Sequence, residues 1–315
     1  MMKEKVLIFR KLLYNYNFFP YFHLFIGILD KNIYVFMLTT IYCAKRHVTV
    51  TQSINILFIY DFIVFLLYII ETITKGGFSS MLIDLHTHSL SSGHGSMDTI
   101  TDMAKTAAAN GIVILGISEH GPTTQGSAKA SYFRSLRLAE RRRCGITLLY
   151  GAELNIIDTK GTVDLEDETL EGLDYAIISI HPPRLKPYEH ADLTDAYIHA
   201  MDRPKVKFLG HIDDARFPVN FWRLLEEAKK RGIYPEINNG SLMPDAYRVG
   251  GQENCRKILD ICKRIHLPVL LSSDSHGKKN LGNIDHILPL LEECNFPEEL
   301  IINNQPELLW HILEK

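Results

Sequence analysis

Residues 81–88 read MLIDLHTH, an apolar run that ends in the pair His86 and His88. Alternate residues of an extended segment face the same side, so both imidazoles can reach one metal ion. Beyond this stretch, short apolar runs alternate with helix-length amphipathic segments, which is typical of βα units around a parallel sheet. The runs that predict strands are 81–85, 112–117, 147–152, 174–180, 206–210, 233–237 and 268–273. Helices are predicted over 98–110, 131–144, 192–202, 220–231, 252–266 and 285–294. Seven strands in this length of chain indicate an α/β barrel.

Metal-binding side chains follow nearly every predicted strand. In a closed parallel barrel the carboxyl ends of all strands point to one face, so residues at these ends are expected to converge. The candidates are His86, His88, His94, His120, Glu153, His181, His211, Asp274 and His276. Packing does not require so many histidines at this kind of position. Mixed shells of imidazole and carboxylate accept zinc, manganese and iron, so the sequence predicts a metal centre at the barrel mouth.

These candidates lie within short motifs that occur in a fixed order. The motifs are Asp84-Leu85-His86-Thr87-His88, His94, Glu119-His120-Gly121, Gly151-Ala152-Glu153-Leu154-Asn155, His181-Pro182, Gly210-His211, Glu236-Ile237-Asn238-Asn239 and Ser273-Asp274-Ser275-His276. Together they resemble the PHP (polymerase and histidinol phosphatase) family, and most closely its stand-alone trinuclear-zinc phosphatase branch. The resemblance covers residues 81 to about 312 and implies a distorted, TIM-like (β/α)7 barrel.

The resemblance also implies a set of ligands for three divalent ions, zinc first, with manganese or iron as alternatives. It assigns His86, His88, Glu153 and Asp274 to the first ion, a bridging Glu153 with His181 and His211 to the second, and His94, His120 and His276 to the third. No side chain is expected as the nucleophile, because a hydroxide that bridges two ions takes this part. Two positions depart from the usual pattern. Glu119 stands where aspartate is usual, and Ile212-Asp213 follow His211 where Pro-Gly is usual.

The implied activity is hydrolysis of phosphoric ester bonds, with a small phosphomonoester as substrate. Arg184 and Arg216 follow two predicted ligands and are candidates to bind the phosphate, although ordinary surface positions explain them equally well. The alternatives are a phosphodiesterase or exonuclease of the polymerase-associated type, a histidinol-phosphate phosphatase, and a non-enzymatic metal-storage or metal-sensing protein. From Met81 onward acidic residues outnumber basic ones by seven, which argues against stable binding of nucleic acid.

The first eighty residues differ in composition from the rest of the chain. Residues 54–70 are apolar except for Asn55 and Asp61, and a charge near the middle of such a segment costs about 3 kcal/mol on insertion into a bilayer. We expect residues 1–80 to be a hydrophobic extension that arises from a misassigned start, with the true start near Met81 and a weak membrane segment as the alternative. The five cysteines form no CxxC pair, which is typical of reduced thiols and predicts a cytoplasmic protein.

Overall fold

The computed structural model describes residues 23–29, 32–38, 81–182, 184–185 and 192–314. The chain divides into two units, Met1–Thr74 and Lys75–Lys315. In the first unit, β1 (His23–Leu29) and β2 (Asn32–Leu38) pair in antiparallel orientation. The apolar segment 54–70 lies outside the described residues. Among the residues described, no helix combines the length and the apolar character needed to cross a bilayer.

All seven predicted barrel strands are present in the second unit. Its strands are β3 (Ile83–Asp84), β4 (Thr87–His88), β5 (Ile114–His120), β6 (Arg142–Arg143), β7 (Ile146–Asn155), β8 (Tyr175–Ser179), β9 (Val206–Leu209), β10 (Tyr234–Asn238), β11 (Leu270–Ser272) and β12 (Ser275–His276). Parallel pairing runs in the order β3, β5, β7, β8, β9, β10 and β11. The sheet is therefore a nearly closed parallel barrel of seven strands, and the predicted fold class is confirmed.

The two end strands of this sheet, β3 and β11, are joined in two different ways. At the carboxyl end their continuations β4 and β12 pair in parallel, with Ser275 opposite Thr87. Between β3 and β11 themselves, hydrogen bonds from the side chain of Asn303 replace the backbone hydrogen bonds of a strand pair. Its Oδ1 accepts from Leu271 N at 2.7 Å, and its Nδ2 donates to Ile83 O at 2.7 Å and to the carbonyl of Leu271 at 2.6 Å. These bonds close the ring where no strand pairing does so.

The helices of the second unit pack mostly outside the sheet. They are α1 (Ile100–Ala109), α2 (Ala130–Ser135), α3 (Asp167–Leu170), α4 (Thr194–Ala200), α5 (Phe221–Arg231), α6 (Gly251–Ile265), α7 (Leu288–Glu293) and α8 (Pro306–Glu314). The prediction of one helix over 131–144 is wrong in its second half. That segment continues as a 3-10 turn, Leu136–Leu138, and then as β6, which pairs with β7. Cys144 and Gly145 both have positive φ, as a tight two-residue hairpin turn requires, and this turn prevents a helix there.

Apolar side chains inside the barrel fill its amino-terminal half. The interior cluster takes residues from every barrel strand and is completed by α8. Tyr175 lies at its centre and is fully buried, and its hydroxyl donates to the carbonyl of Leu85. Gly116 and Gly151 leave room for this ring, because a Cβ at either residue would lie within 2.7 Å of Tyr175. Leu309 and Ile312 of α8 belong to the same cluster, so only the carboxyl-terminal half of the barrel is left for polar side chains.

Candidate metal centre

The structure brings all nine predicted ligands together at the carboxyl-terminal mouth of the barrel. The first group surrounds the ring nitrogens of His86 and His88, which lie just beyond β3 and in β4. Nε2 of His86 is 3.4 Å, and Nε2 of His88 3.6 Å, from Glu153 Oε2. The same two nitrogens are 3.6 and 3.3 Å from Asp274 Oδ1. These four side chains are the set assigned to the first ion.

Glu153 lies at the centre of the cluster, because β7 carries it to the mouth with its two carboxylate oxygens facing different histidines. Oε2 faces the first group, while Oε1 is 3.1 Å from His181 Nε2 and 3.0 Å from His211 Nε2. One fully buried carboxylate is thus placed between two groups of imidazoles. This is the geometry that a bridging ligand needs, and it brings together the residues assigned to the second ion.

The third group is formed by His94, His120 and His276. The Nε2 atoms of His120 and His276 are 3.4 Å apart, and the His94 ring centroid lies 4.8 Å and 5.0 Å from those of His120 and His276. Gly95 permits this approach, since a Cβ at that residue would lie 2.6 Å from His276 Cδ2. The ligand set assigned to the third ion is therefore also assembled.

The donor atoms of the cluster fit divalent ions, because most of those that are buried have no hydrogen-bond partner among the described residues. Such atoms are His86 Nε2, His88 Nε2, His120 Nδ1, His181 Nε2, Glu153 Oε1 and Oε2, and Asp274 Oδ1. A buried polar atom without a partner costs about 1–3 kcal/mol, so seven such atoms around one volume form an unfavourable arrangement on their own. Divalent ions would satisfy them together, and this mixed nitrogen and oxygen set suits zinc, manganese and iron.

Two of the ligands are held in a strained backbone conformation. His211 has φ of 54° and Asp274 of 52°, in the left-handed region that residues other than glycine seldom adopt. Such conformations cost about 1 kcal/mol or more each and are retained where the surrounding structure fixes them, often at functional sites. Here they turn the side chain of His211, after β9, toward Glu153 and that of Asp274, after β11, toward His86.

The cluster keeps its carboxylates ionised and several of its imidazoles neutral. Burial alone would raise the pKa of Glu153, but the neighbouring histidines, His181 first, hold that pKa well below its usual value. Burial and the nearby His120 lower the pKa of His88 well below 6.5. Burial, followed by the charge of a neighbouring arginine, lowers the pKa of His211 to about 4. Ionised carboxylates and neutral imidazoles are the forms that bind metal, so the site is prepared for cations.

Glu236 has no role in the sequence-based assignment, although it lies in one of the quoted motifs. The structure places it, buried, directly behind His86, whose Nδ1 is 2.5 Å from Glu236 Oε1. Ser272 Oγ donates to the same oxygen at 2.5 Å, and Asn238 Nδ2 donates to Oε2 at 3.2 Å. Burial lowers the pKa of His86, but Glu236 and then Glu153 outweigh it and raise the pKa well above its usual value. Glu236 thus fixes the imidazole with Nε2 toward the cluster.

Two other ligands are oriented by similar outer partners. His88 Nδ1 is 2.9 Å from Ser92 Oγ, which in turn donates to Glu119. Glu119, the residue found where aspartate is usual, is itself fully buried. His181 Nδ1 is 3.0 Å from Asn155 Oδ1. Partners of this kind set the tautomer and the direction of a metal-binding imidazole. His88 and Ser92 are only four residues apart, whereas the Ser92–Glu119 and His181–Asn155 contacts depend on packing between strands, which no local sequence pattern marks.

Arg248 is a further residue of the site that the sequence did not indicate. It lies on the loop after β10, with its side chain 15% exposed, and its Nη2 is 2.6 Å from His211 Nε2. Its Nη1 is 3.5 Å from Asp274 Oδ2. A lone arginine in a loop carries no sequence signal of its own. Its position puts a permanent positive charge against the ligand cluster at the mouth.

The two arginines proposed from the sequence lie in different surroundings. Arg184 is exposed. Arg216 is buried at 9% exposure, and its Nε is 2.9 Å and 3.0 Å from the two carboxylate oxygens of Asp214. The Arg216 guanidinium also stacks on Tyr247, with 4.3 Å between its carbon and the ring centroid. Substrate binding by either arginine stays a prediction, and the charge of Arg216 is already balanced by Asp214.

The fold and the site together define a class: a parallel (β/α) barrel with a cluster of histidine and carboxylate side chains, suited to metal ions, at the carboxyl ends of its strands. A family model for the PHP domain matches residues 84–240. A probable phosphatase from Clostridium botulinum is 36% identical over 233 residues, which are 74% of this chain and 94% of that protein. A probable phosphatase from Acetivibrio thermocellus is 34% identical over 226 residues, 72% of this chain and 92% of the relative. The chain belongs to the PHP family.

A solved structure with a similar fold is histidinol phosphate phosphatase from Lactococcus lactis, in complex with zinc, L-histidinol and phosphate. It shares 18% sequence identity with this chain, with a TM-score of 0.49 over 69% of this chain and 95% of that one. The resemblance to the PHP family stated from the motifs is confirmed by the family model and by the relatives. The predicted class of enzyme, a metal-dependent hydrolase of phosphoric esters, is confirmed with it.

Proposed function

We propose that the chain hydrolyses small phosphomonoesters at a centre of three divalent ions, and that this activity resides in residues 81–315. The observation that carries the proposal is the cluster at the barrel mouth, where nine predicted ligands from six strand ends meet around buried atoms without hydrogen-bond partners. A set of ligands this large exceeds what one structural ion needs. It suits a reaction in which several negative charges must be neutralised together.

The proposed ligand sets keep the grouping implied by the family. The first ion would take His86, His88, Glu153 and Asp274, the second Glu153, His181 and His211, and the third His94, His120 and His276. Zinc is the proposed metal, with manganese and iron as alternatives. Divalent ions held by these residues would supply a nucleophilic water at neutral pH and neutralise the oxygens of a phosphate.

The chain's own residues orient these ligands and bind the ester. Glu236 holds His86, and Ser92 holds His88, so that each imidazole presents Nε2 to the centre. The Arg248 guanidinium lies beside His211 at the mouth and can donate two parallel hydrogen bonds to phosphate oxygens. Among the predicted histidine ligands that lie within 4 Å of a carboxylate oxygen, His276 has the most exposed side chain, at 25%. The ester would therefore enter past the third group of ligands.

Charge favours a small substrate over nucleic acid. The barrel unit carries more acidic than basic residues, and an exonuclease needs a basic surface along which a strand can lie. A small phosphorylated molecule is therefore the proposed partner. The described cysteines, Cys144, Cys255, Cys262 and Cys294, are all free, which supports the proposal that the reaction takes place in the cytoplasm.

One assay separates the proposed activity from its alternatives. The metal-reconstituted full chain is given p-nitrophenyl phosphate, bis-p-nitrophenyl phosphate and single-stranded DNA, with zinc or manganese added. We expect turnover of the monoester well above that of the diester and of DNA. Faster cleavage of the diester or of DNA would favour the polymerase-associated type of activity and contradict the proposal. A panel of phosphorylated metabolites that includes histidinol phosphate then ranks candidate substrates.

A further inference from the structure

The carboxylate of Asp164 lies beside the outer partner of one ligand and belongs to none of the ligand sets. After β7 ends at Asn155, the chain forms a short hairpin in which Ile156 and Val163 pair in antiparallel orientation. This pairing returns the chain so that Asp164 lies next to Asn155, whose Oδ1 is 3.0 Å from His181 Nδ1. The hairpin thus brings a carboxylate to the amide group that contacts a predicted metal ligand.

Four hydrogen bonds converge on the Asp164 carboxylate, and all four come from N–H or O–H donors. Oδ1 accepts from Asn155 N at 2.9 Å. Oδ2 accepts from Thr123 N at 3.0 Å, from Thr123 Oγ1 at 2.8 Å and from Asn155 Nδ2 at 2.7 Å. Gly121 leaves the space for this carboxylate, because a Cβ at that residue would overlap it. Asp164 is therefore fixed both by the loop after β5 and by the end of β7.

These bonds determine which end of the Asn155 amide faces His181. A carboxylate only accepts hydrogen bonds, so it binds the NH2 end of the amide and leaves the carbonyl end for the histidine. Thr124 Oγ1 is also 3.1 Å from Asn155 Nδ2, but a hydroxyl both donates and accepts and so does not select an orientation. Asn155 is fully buried, which shields both ends of the amide from solvent. The orientation of the amide therefore depends on Asp164.

We propose that Asp164 is a positioning residue that sets the tautomer of His181 through the amide of Asn155. Because a carbonyl oxygen faces His181 Nδ1, that nitrogen carries the proton and donates it, and Nε2 keeps its lone pair. Nε2 is 3.1 Å from Glu153 Oε1, at the position of the second ion. The reversed amide would favour a proton on Nε2, which blocks metal binding there. The inference rests on the proposed function, since it concerns a ligand of that metal centre.

The test determines the tautomer directly, by nitrogen NMR of isotope-labelled histidine rings in the chelator-treated full chain, with His181→Gln to identify the signal. At a pH where the ring is neutral, we expect the proton on Nδ1. Asp164→Asn should move the proton to Nε2 in a measurable fraction of molecules, because an amide at this position can donate as well as accept. In calorimetry with zinc, the same variant should weaken binding of one ion about 10- to 100-fold, as loss of an outer partner does.

Asp158→Asn is the matched control, because Asp158 accepts three hydrogen bonds from Lys160 and Thr162 within the same hairpin. It should change neither the tautomer nor zinc binding. Asn155→Ala leaves the other three bonds of Asp164 in place and should also mix the tautomers, which keeps the test decisive if Asp164→Asn does not fold.

Three results would overturn the inference: a proton on Nε2 of His181 in the unaltered chain, an unchanged tautomer in Asp164→Asn or Asn155→Ala, or an equal change in Asp158→Asn. Failure of the proposed function gives a different result. If the unaltered chain shows the expected tautomer but binds no zinc, the metal centre is rejected and the role of Asp164 at His181 stands.

Discussion

Replacement of Glu236 by glutamine tests whether the outer partners of the ligands govern metal binding. Glu236 accepts hydrogen bonds from His86, Ser272 and Asn238, and the one from His86 is charge-assisted at 2.5 Å. A hydrogen bond to a charged group contributes about 1.5–3 kcal/mol, which corresponds to a factor of about 10 to 100 in an equilibrium constant. Loss of an outer partner typically weakens metal binding by a similar factor, about 10 to 100. We therefore expect Glu236→Gln to lower metal affinity within this range.

The same variant should also change the protons released when metal binds. Glu236 helps to raise the pKa of His86 above its usual value, so at neutral pH the metal-free protein holds a proton there that metal must displace. Without that carboxylate, fewer protons should be released on binding. Calorimetry with zinc in two buffers of different ionisation enthalpy measures both affinity and proton release. Glu226→Gln, on α5, is the matched control. Unchanged affinity and unchanged proton release in Glu236→Gln would show that Glu236 does not govern metal binding at His86.

Four further substitutions test the ligands, the mouth and the barrel. Asp274→Ala and His88→Ala should abolish hydrolysis of p-nitrophenyl phosphate while circular dichroism stays unchanged, and retained activity would place the chemistry elsewhere. Arg248→Met should lower kcat/KM for phosphomonoesters about tenfold or more through the loss of charge-assisted bonds to phosphate, whereas an unchanged value would exclude that contact. Asn303→Ala should lower the free energy of unfolding in urea by about 3 kcal/mol, because three hydrogen bonds from its side chain to the two end strands are lost. Asn304→Ala, which loses a single 3.5 Å contact, is its control, and equal effects would contradict the ring-closing role.

The barrel strands could be predicted from the sequence because each is a short apolar run followed by a polar residue and a helix-length segment. Elements whose formation depends on a tight turn or on closure of the barrel could not be predicted in this way. The predicted helix over 131–144 fails because the turn at Cys144 and Gly145 starts a hairpin. The helix α8 was not predicted, although Leu309 and Ile312 have helical spacing. Its apolar face packs against the interior cluster of the barrel, and this partner surface exists only in the folded chain.

The ligands could be predicted because the carboxyl end of every parallel strand reaches the same face, whatever the separation along the chain. Glu236 and His86 are 150 residues apart, and their contact follows from packing inside the barrel, which no local spacing reveals. Arg248 is similar, since only the folded loop brings it to His211. The sequence therefore indicates which side chains meet at the mouth as candidate metal ligands, while the structure adds the residues that orient them.

We propose that hydrolysis depends on a multinuclear centre built from the nine ligands. The most direct measurement is a titration of chelator-treated full chain with zinc or manganese, in which bound metal per chain and p-nitrophenyl phosphate turnover are recorded together. We expect no turnover without metal and full turnover only as occupancy approaches three ions per chain. Full activity in metal-free protein, or with a single ion bound, would contradict it.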